Sequence, residues 1–457
     1  MPRTTIDQRW RWWNEDLGSP RYILAPMVLQ SELAYRMQVR RYGVDVCYAP
    51  MLPVEAFLAS SADGQPCENP LTGGPSTRAS WFTTAPGDRP LFAQLGGGDP
   101  EQMLKAALLV QDSVDAVDVN FGCPQRCACV GGYGAFLLDD PARARAIIET
   151  LVRGLRVPVT AKIRILPTLE ATLSFARMLE EAGVSALTVH GRLREQRHHE
   201  GPADWGAIAA VKAALSIPVI ANGNVRKKGD ADACMRETGV DGVMSATALL
   251  SNPRLFGSAS ELPATDLVRA GGRSLVRDGR PTACGRRDMA LEYLECCRRW
   301  PDGALPRMIS DHLLALLRVD LDDAGNSDLK KRCKDYRRTV EPHQFAAIVQ
   351  ELAARHVGAT DSPAASPSNA GNVTSTVAAV DVDEESRHRS SMDAVEKAVK
   401  RSARRRRREK ANNRAKYTCW PRALSMLSGT GSTGGATFLT SVVGGCLLAL
   451  AATLTHR

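Results

Sequence analysis

A chain of 457 residues, 44% of them apolar and 24% charged, has the composition of a globular protein and the length for a full-size enzyme domain, which excludes a largely disordered polypeptide. The formal charge of +9 excludes less than it suggests, because residues 397–416 hold eleven Lys or Arg against one acid, a net of +10 that leaves −1 for the rest. A global nucleic-acid-binding field is therefore excluded for the folded part, and any RNA surface there has to be a local patch.

In chain order, residues 1–21 read as an N-terminal extension. Short apolar runs then alternate with segments of helical periodicity, the runs lying at 23–27, 44–48, 91–94, 116–120, 159–163, 186–190, 219–222 and 242–245. Eight strands separated by helices over residues 22–256 have the count and size of an α/β (β/α)8 TIM barrel. A doubly wound open sheet is disfavoured, because polar residues close strand after strand (Gln94, Asn120, Lys162, His190, Asn222), and barrels assemble their sites from many strand ends at one face. Residues 58–78, rich in Ser, Gly, Pro and Asn, read as a long surface loop between the second and third strands.

A polar linker over 257–287 leads into a small all-helical domain, 288–357. Met289, Leu291, Leu294 and Cys297 share one helical face there, and Phe345, Ile348, Val349 and Leu352 follow Pro342 near a helix start. Residues 358–435 turn to Ala, Ser, Thr, Asp and Glu and then to arginine, the composition of a disordered basic tail. The last segment, 436–454, is nineteen residues without a charge, long enough to cross a bilayer, but two glycines, three threonines and a serine weaken it. A membrane anchor and an unstructured apolar end both stay open for it.

Twelve cysteines are spread over the chain with no recognisable secretory signal peptide, so free thiols in a reducing compartment are expected. Cys123, Cys127 and Cys129 cluster, but zinc sites usually set a second ligand pair against the first and none is present, so no metal is expected. The segment around them, 118–138, is the most informative in the chain: Cys123 stands at a strand end within Asn120-Phe121-Gly122-Cys123-Pro124 and is followed by Gly131, Gly132 and Gly134. Cysteine is more often buried and structural. A thiol titrating near neutrality above a barrel mouth can also serve as a proton donor. Lys162 closes an apolar strand, where an ammonium is costly without a negative partner.

Taken with Leu24-Ala25-Pro26-Met27, Ala161-Lys162-Ile163-Arg164 and Ala221-Asn222-Gly223-Asn224, that segment resembles the flavin-dependent tRNA-dihydrouridine synthases. The resemblance covers residues 22–256 and, more weakly, the helices to Leu352; 242–256 and the run Gly-Tyr-Gly-Ala at 132–135 resemble the eukaryotic subclass acting on uridines 16 and 17. It implies an oxidoreductase that reduces the C5=C6 bond of uracil in the tRNA D-loop, with hydride from reduced FMN, NADPH or NADH as reductant, and a proton from Cys123. Asn120 would orient the uracil and Arg192 would contact the substrate. Pro26, Met27, Gln94, Lys162 and His190 would contact the flavin, and Asn222, Gly223, Asn224, Ser245 and Ala246 would bind its phosphate. The chain departs from many bacterial relatives, which have Gly-Arg where Ser245-Ala246 stands, and from the family in Arg197-His198-His199-Glu200.

Lys330, Lys331, Arg332, Lys334, Arg337 and Arg338, with Tyr336 among them, form a cationic run in the helical domain. Charge alone fits a solvated helix face as well as RNA, and the resemblance assigns it to tRNA. The arginines at 404–408 fit added RNA affinity, nuclear import or a membrane-proximal position equally. A monomer without an obligate protein partner is expected, cytoplasmic or nuclear, and membrane-associated if 436–454 inserts. The rival readings are an FMN barrel acting on a free pyrimidine and a catalytically silent RNA-binding relative.

Overall fold

The computed structural model describes residues 4–60, 67–68, 75–76, 81–197, 200–257, 276–277, 280–301, 304–336 and 341–360. Eight parallel strands close on themselves: β1 (Tyr22–Leu24), β2 (Val46–Tyr48), β3 (Leu91–Gly96), β4 (Ala116–Phe121), β5 (Val159–Arg164), β6 (Leu187–His190), β7 (Val219–Asn222) and β8 (Gly242–Ser245). β2 pairs with both β1 and β3, and β8 returns to β1, so the sheet has no open edge. The (β/α)8 expectation is thus met, with strand bounds within a few residues of those expected. A two-residue strand, Leu52–Pro53, adds to the far end of β3.

The strands' alternation sorts two cores. Leu24, Cys47, Ala93, Val117, Val119, Ala161, Ile163, Val189 and Ala221 face the outer helices. Ile23, Val46, Tyr48, Phe92, Ala116, Ile220 and Met244 fill the lower barrel interior. Continuing along the inward-facing positions, the residues become polar: Gln94, Asp118, Asn120, Thr160, Lys162, Arg164, Thr188, His190 and Asn222. The parallel register aligns them, with Gln94 beside Asp118 beside Thr160, Asn120 beside Lys162, and Arg164 beside His190 beside Asn222. All strands run the same way, so this polar set gathers at one mouth.

The N-terminal extension closes the other end. A helix, Ile6–Arg11, begins at a capping box in which Thr5 and Gln8 exchange hydrogen bonds, and runs on as a wider turn over Trp12–Asp16. Trp12 stacks on Phe92 at 5.8 Å, and Trp13 is 2% exposed. Arg9 donates to the carbonyl of Val184 (3.0 Å) and Trp10 to that of Ser216 (2.7 Å), tying this plug to the loops that enter β6 and β7.

The barrel helices are α1 (Leu33–Arg40), α2 (Pro100–Leu108), α3 (Pro141–Gly154), α4 (Leu169–Ala182), α5 (Trp205–Ala214) and α6 (Lys228–Thr238). Asp99, Asp140, Thr168 and Asp204 cap the starts of α2, α3, α4 and α5 through their side chains, and Gly183 and Gly239 end α4 and α6 in left-handed backbone. Beyond the barrel lie α7 (Ala283–Arg299), α8 (Pro306–Leu316), α9 (Ser327–Asp335) and α10 (Pro342–Thr360). α7 starts inside the expected linker, because Thr282 accepts from the Gly285 N–H and caps it. These helices rest on α1: Gln38 donates to the Met289 carbonyl (2.7 Å), Tyr293 to Glu32 (2.7 Å), and the buried His312 meets Glu32 at 3.0 Å while stacking on Tyr35.

The helix Val54–Ala59 runs into the start of the expected 58–78 loop, and within it Cys67–Glu68 pairs antiparallel with Pro75–Ser76. Arg337, Arg338, His198, His199, most of the linker and everything from residue 361, including the arginines at 404–408 and the apolar segment at 436–454, lie outside the described residues. Among those described, no helix is long and apolar enough to cross a membrane.

Candidate active site

The Cys123 loop is built from Asn120 outward. The Asn120 Oδ1 atom accepts the N–H groups of both Gly122 and Cys123 at 2.9 Å, turning the chain sharply at the strand end. Its Nδ2 donates to Gln94 Oε1 (3.1 Å) and Met51 Sδ (2.9 Å), so the amide's orientation is fixed from both ends. From the other side, the Ala135 N–H donates to the Cys123 carbonyl at 2.9 Å. A Cβ at position 134 would fall 2.6 Å from that same carbonyl oxygen, and Gly134 has φ +69°, so this return of the chain requires glycine. The glycine-bearing stretch after Cys123 forms a short helix, Arg126–Gly131, followed by a tighter helical turn over Gly134–Asp139.

Arg164 ties this loop to the next one. Its Nε donates to the Gly122 carbonyl (2.8 Å), and its Nη1 to the carbonyls of Leu193 (2.7 Å) and Gln196 (3.0 Å). The Cys123 thiol is held below its ordinary range, chiefly by a hydrogen bond from Cys127 and further by the cations Arg164 and Lys162, against burial that pushes it up. That shift makes it a better acid than a free cysteine.

Beneath Asn120, Gln94 Nε2 donates to Asp118 Oδ2 (2.8 Å) and Thr160 to Asp118 Oδ1 (2.7 Å). Gln94 therefore lies inside the barrel rather than at a strand end, and its amide braces Asn120 against Asp118. Burial raises Asp118 to about 6, opposed by these hydrogen bonds and by Lys162. Lys162 is drawn down to about 8 by burial and by Arg164, opposed by Asp118 and Cys123. Among the described residues no acceptor takes a hydrogen bond from its ammonium group.

His190 lies beside Asn222 in the ladder, and Arg192 folds back over it. Arg192 Nη1 meets His190 Nε2 at 3.1 Å, and its Nη2 donates to Asn224 Oδ1 (2.6 Å) and the Gly201 carbonyl (3.0 Å). Arginine can only donate, so Nε2 accepts and the ring proton sits on Nδ1. Burial and the three nearby cations, Lys162, Arg164 and Arg192, hold His190 well below the ordinary histidine range, in its neutral form. Arg192, expected to contact substrate, is 4% exposed and positions His190 and Asn224.

Asn222 donates to the Met244 carbonyl at 2.9 Å. Gly223 and Asn224 follow with φ +114° and +62°, and a Cβ on Gly223 would fall 2.6 Å from that of Ala203. Among the described residues none accepts the N–H groups of Gly223 and Asn224, so both can meet an anion. Ser245 is 3% exposed, and its hydroxyl donates to the Val225 carbonyl, so its side chain serves the loop. Across the mouth, Pro26 and Met27 leave β1. Ser31 Oγ bonds both the N–H and the carbonyl of Met27 (3.1 and 3.2 Å), Arg36 takes the Ser31 carbonyl at 2.6 Å, and Arg36 is paired at 2.7 Å with the fully buried Asp88.

The chain's first 267 residues carry the decisive comparison: residues 23–267, just over half of the chain, match the family model described as dihydrouridine synthase. The chain belongs to the dihydrouridine synthase family. Similar proteins include the tRNA-dihydrouridine(16/17) synthase [NAD(P)(+)]-like protein of Rattus norvegicus, 44% identical over 254 residues, which cover 55% of each chain. The tRNA-dihydrouridine(16/17) synthases [NAD(P)(+)] of Schizosaccharomyces pombe and Saccharomyces cerevisiae are 46% and 42% identical, over 52% and 53% of this chain and 58% and 55% of theirs. The chain thus spans about half the length of the relatives it matches.

Of the residues expected from the sequence, Cys123, Asn120, Lys162, His190, Asn222, Gly223, Asn224, Pro26 and Met27 stand on strand ends or loops of the one mouth, with Gln94 a layer deeper inside the barrel. The cations of α9 do not join them. Lys330 pairs with Asp322 (2.6 Å) and Arg332 with Glu351 (2.5 Å), Tyr336 packs edge-on against Phe345, and Lys331 and Lys334 are exposed. Asp118, Arg164, Met51 and Tyr133 contact these residues or their loop, and sequence reasoning passed over them. For Asp118 and Arg164 the signal was present: each lies two residues from an expected site residue on the same strand, hence on the same face.

Proposed function

We propose that this protein reduces uridines of the tRNA D-loop, at positions 16 and 17, to dihydrouridine, with FMN as cofactor and NADPH or NADH as reductant. The observation that carries the reading is the convergence, in a member of this family, of an acidic thiol, a fixed amide and a lysine ammonium that lacks an acceptor among the described residues, at one barrel mouth. The relatives whose names specify uridines 16 and 17 support the position.

The residues present fit a flavin mononucleotide. The N–H groups of Gly223 and Asn224, which no described residue accepts, suit its phosphate, the Lys162 ammonium suits an anionic ring edge, and Pro26 and Met27 offer an apolar surface. Bound there, the flavin supplies a hydride for C6 of uracil. Cys123 supplies the proton for C5, and the Cys127 hydrogen bond and the cations Arg164 and Lys162, which lower its pKa, stabilise the thiolate left behind. Asn120 keeps the Cys123 main chain in place through two accepted hydrogen bonds, and Arg164 fastens the same loop to Leu193 and Gln196. Neutral His190 offers its Nδ1–H as a donor without adding charge beside Lys162. Exposed Lys331 and Lys334 on α9 supply phosphate contacts for the body of the tRNA, which favours this substrate over a free pyrimidine.

The test is direct: full-length protein, FMN, NADPH and tRNA from cells lacking D-loop dihydrouridine. Dihydrouridine at 16 and 17 is expected. Turnover of free uracil or orotate in its place would overturn the assignment, and protein that binds no flavin would support a silent relative.

A further inference from the structure

Asp118 takes no part in the proposed reaction, yet a chain of directed hydrogen bonds runs from it to the proton donor. It lies on β4 two residues before Asn120, on the same inward face, with Gln94 of β3 beside it on one side and Thr160 of β5 on the other. The whole chain is buried: Asp118 is 0%, Gln94 3% and Asn120 7% exposed. An ionised carboxylate accepts hydrogen bonds and cannot donate them. Asp118 Oδ1 takes the Thr160 hydroxyl (2.7 Å) and Oδ2 takes Gln94 Nε2 (2.8 Å). Gln94 is thereby turned so that its Oε1 accepts from Asn120 Nδ2 at 3.1 Å. Asn120 is turned in the same sense, which leaves its Oδ1 for the N–H groups of Gly122 and Cys123, both at 2.9 Å. Reversing Gln94 would set its oxygen against the carboxylate, and reversing Asn120 would set its NH2 against two main-chain N–H groups. Only one sense satisfies every group in the chain.

We propose that Asp118 is a positioning residue for the proton donor: its carboxylate sets the sense of both amides and so fixes where the Cys123 main chain, and with it the thiol, stands. The negative charge does not have to lie at position 118. What the arrangement requires is an oxygen facing Asn120 Nδ2, held there by a partner of the opposite sense one layer down. D118N/Q94E meets that requirement. The new amide at 118 donates to the new carboxylate at 94 and still takes Thr160 on its oxygen, and the carboxylate still accepts from Asn120. Q94M does not meet it, because methionine keeps the length of the side chain but neither its donor nor its acceptor.

The effect on turnover rests on the role proposed for Cys123; the hold on the thiol does not. Full-length wild type, Q94M and D118N/Q94E are alkylated with iodoacetamide in the flavin-free form, and Cys123 is followed on the tryptic peptide 106–126, which holds no other cysteine. Cys123 of Q94M should react about 3- to 10-fold faster, because a loop released from one of its ties opens more often. With flavin bound, Q94M should be reduced by NADPH at the wild-type rate and reoxidised by tRNA about 10- to 100-fold more slowly, the consequence of a misplaced reacting group. D118N/Q94E should recover most of both losses. Buried Cys47 and Cys234, slow to react in folded protein, are the folding control in the same digest. Should they show Q94M unfolded, D118N/Q94E decides alone: near-wild-type behaviour upholds the proposal and slow reoxidation overturns it. Wild-type alkylation and reoxidation in Q94M would overturn it, as would a D118N/Q94E protein as defective as Q94M, since the charge at 118 would then matter and not the sense of the hydrogen bonds. Loss of flavin binding in Q94M with Cys123 alkylation unchanged would also overturn it and return Gln94 to the flavin contact expected from the sequence. Faster alkylation in Q94M with tRNA turnover intact would uphold the hold on the thiol and remove Cys123 from the reaction.

Discussion

Replacing Lys162 with methionine should stabilise the flavin-free protein while weakening its hold on the flavin. A fall from 10.5 to about 8 corresponds to about 3 kcal/mol against the charged ammonium at neutral pH. Methionine keeps the stem's length and removes that cost, less whatever Asp118 gives back as it rises further above 6 without its cation. The pH dependence has a definite sign. The folded-state value is depressed, so between about 8 and 10.5 the unfolded chain binds the proton more readily. Wild-type stability on this account climbs with pH across that window, and the gain is lost as pH falls through about 8. K162M has no such ionisation. Urea unfolding of flavin-free protein at a series of pH values should show the variant ahead of the wild type by up to about 3 kcal/mol near neutrality, the two converging as pH rises toward 10.5. Flavin titration by fluorescence quenching should show binding weakened by roughly 10- to 100-fold, the worth of one hydrogen-bonded charge. A K162M protein less stable than the wild type at neutral pH, with wild-type stability level across the window, would refute the view of Lys162 as a cation awaiting an anionic partner.

Three further outcomes are expected. Trp13→Ala, at a position 2% exposed under the barrel, should cost about 3–5 kcal/mol in urea unfolding; a cost below about 1 kcal/mol would mean that the N-terminal plug is not part of the folded core. Arg164→Lys keeps the charge but not the fork that reaches Gly122, Leu193 and Gln196, so kcat should fall about 10- to 100-fold with flavin affinity unchanged, and an unaltered kcat would remove Arg164 from the positioning of Cys123. Lys331→Glu combined with Lys334→Glu should weaken tRNA binding and lower its salt dependence by about one counterion per lysine, leaving flavin binding as it was. An unchanged tRNA affinity would take α9 out of the interface.

The barrel and most of its mouth are legible in the sequence because a parallel strand buried on both faces reads as a short apolar run, and its last inward position reads as the exception. Asn120, Lys162, His190 and Asn222 stand out in that way. Asp118 does not, since an acid within an apolar run reads as noise until the two-residue period is laid over it, and neither does Arg164, which falls just past the run at 159–163 and closes β5 two residues beyond Lys162. Gln94 was read as ending β3, whereas the strand continues to Gly96 and leaves it inside, where Asn120 and Asp118 take its amide. Arg192 illustrates a different limit: its place beside His190 says nothing about whether it turns outward to substrate or back to Asn224 and Gly201, which depends on loops distant in sequence. The plug is opaque for a similar reason. Trp10, Trp12 and Trp13 lack the length for a clear helical period, and only the closed barrel supplies the cavity that they fill.

The most direct test of the account compares wild type and C123A, loaded with flavin and reduced by NADPH without oxygen, on addition of unmodified tRNA, following the return of the flavin's visible absorbance. Reduction by NADPH should be the same in both, and reoxidation by tRNA should slow by about 10²- to 10⁴-fold in C123A, the usual contribution of a positioned acid. Equal reoxidation rates, with dihydrouridine formed by both proteins, would contradict the assignment of Cys123 as the proton donor.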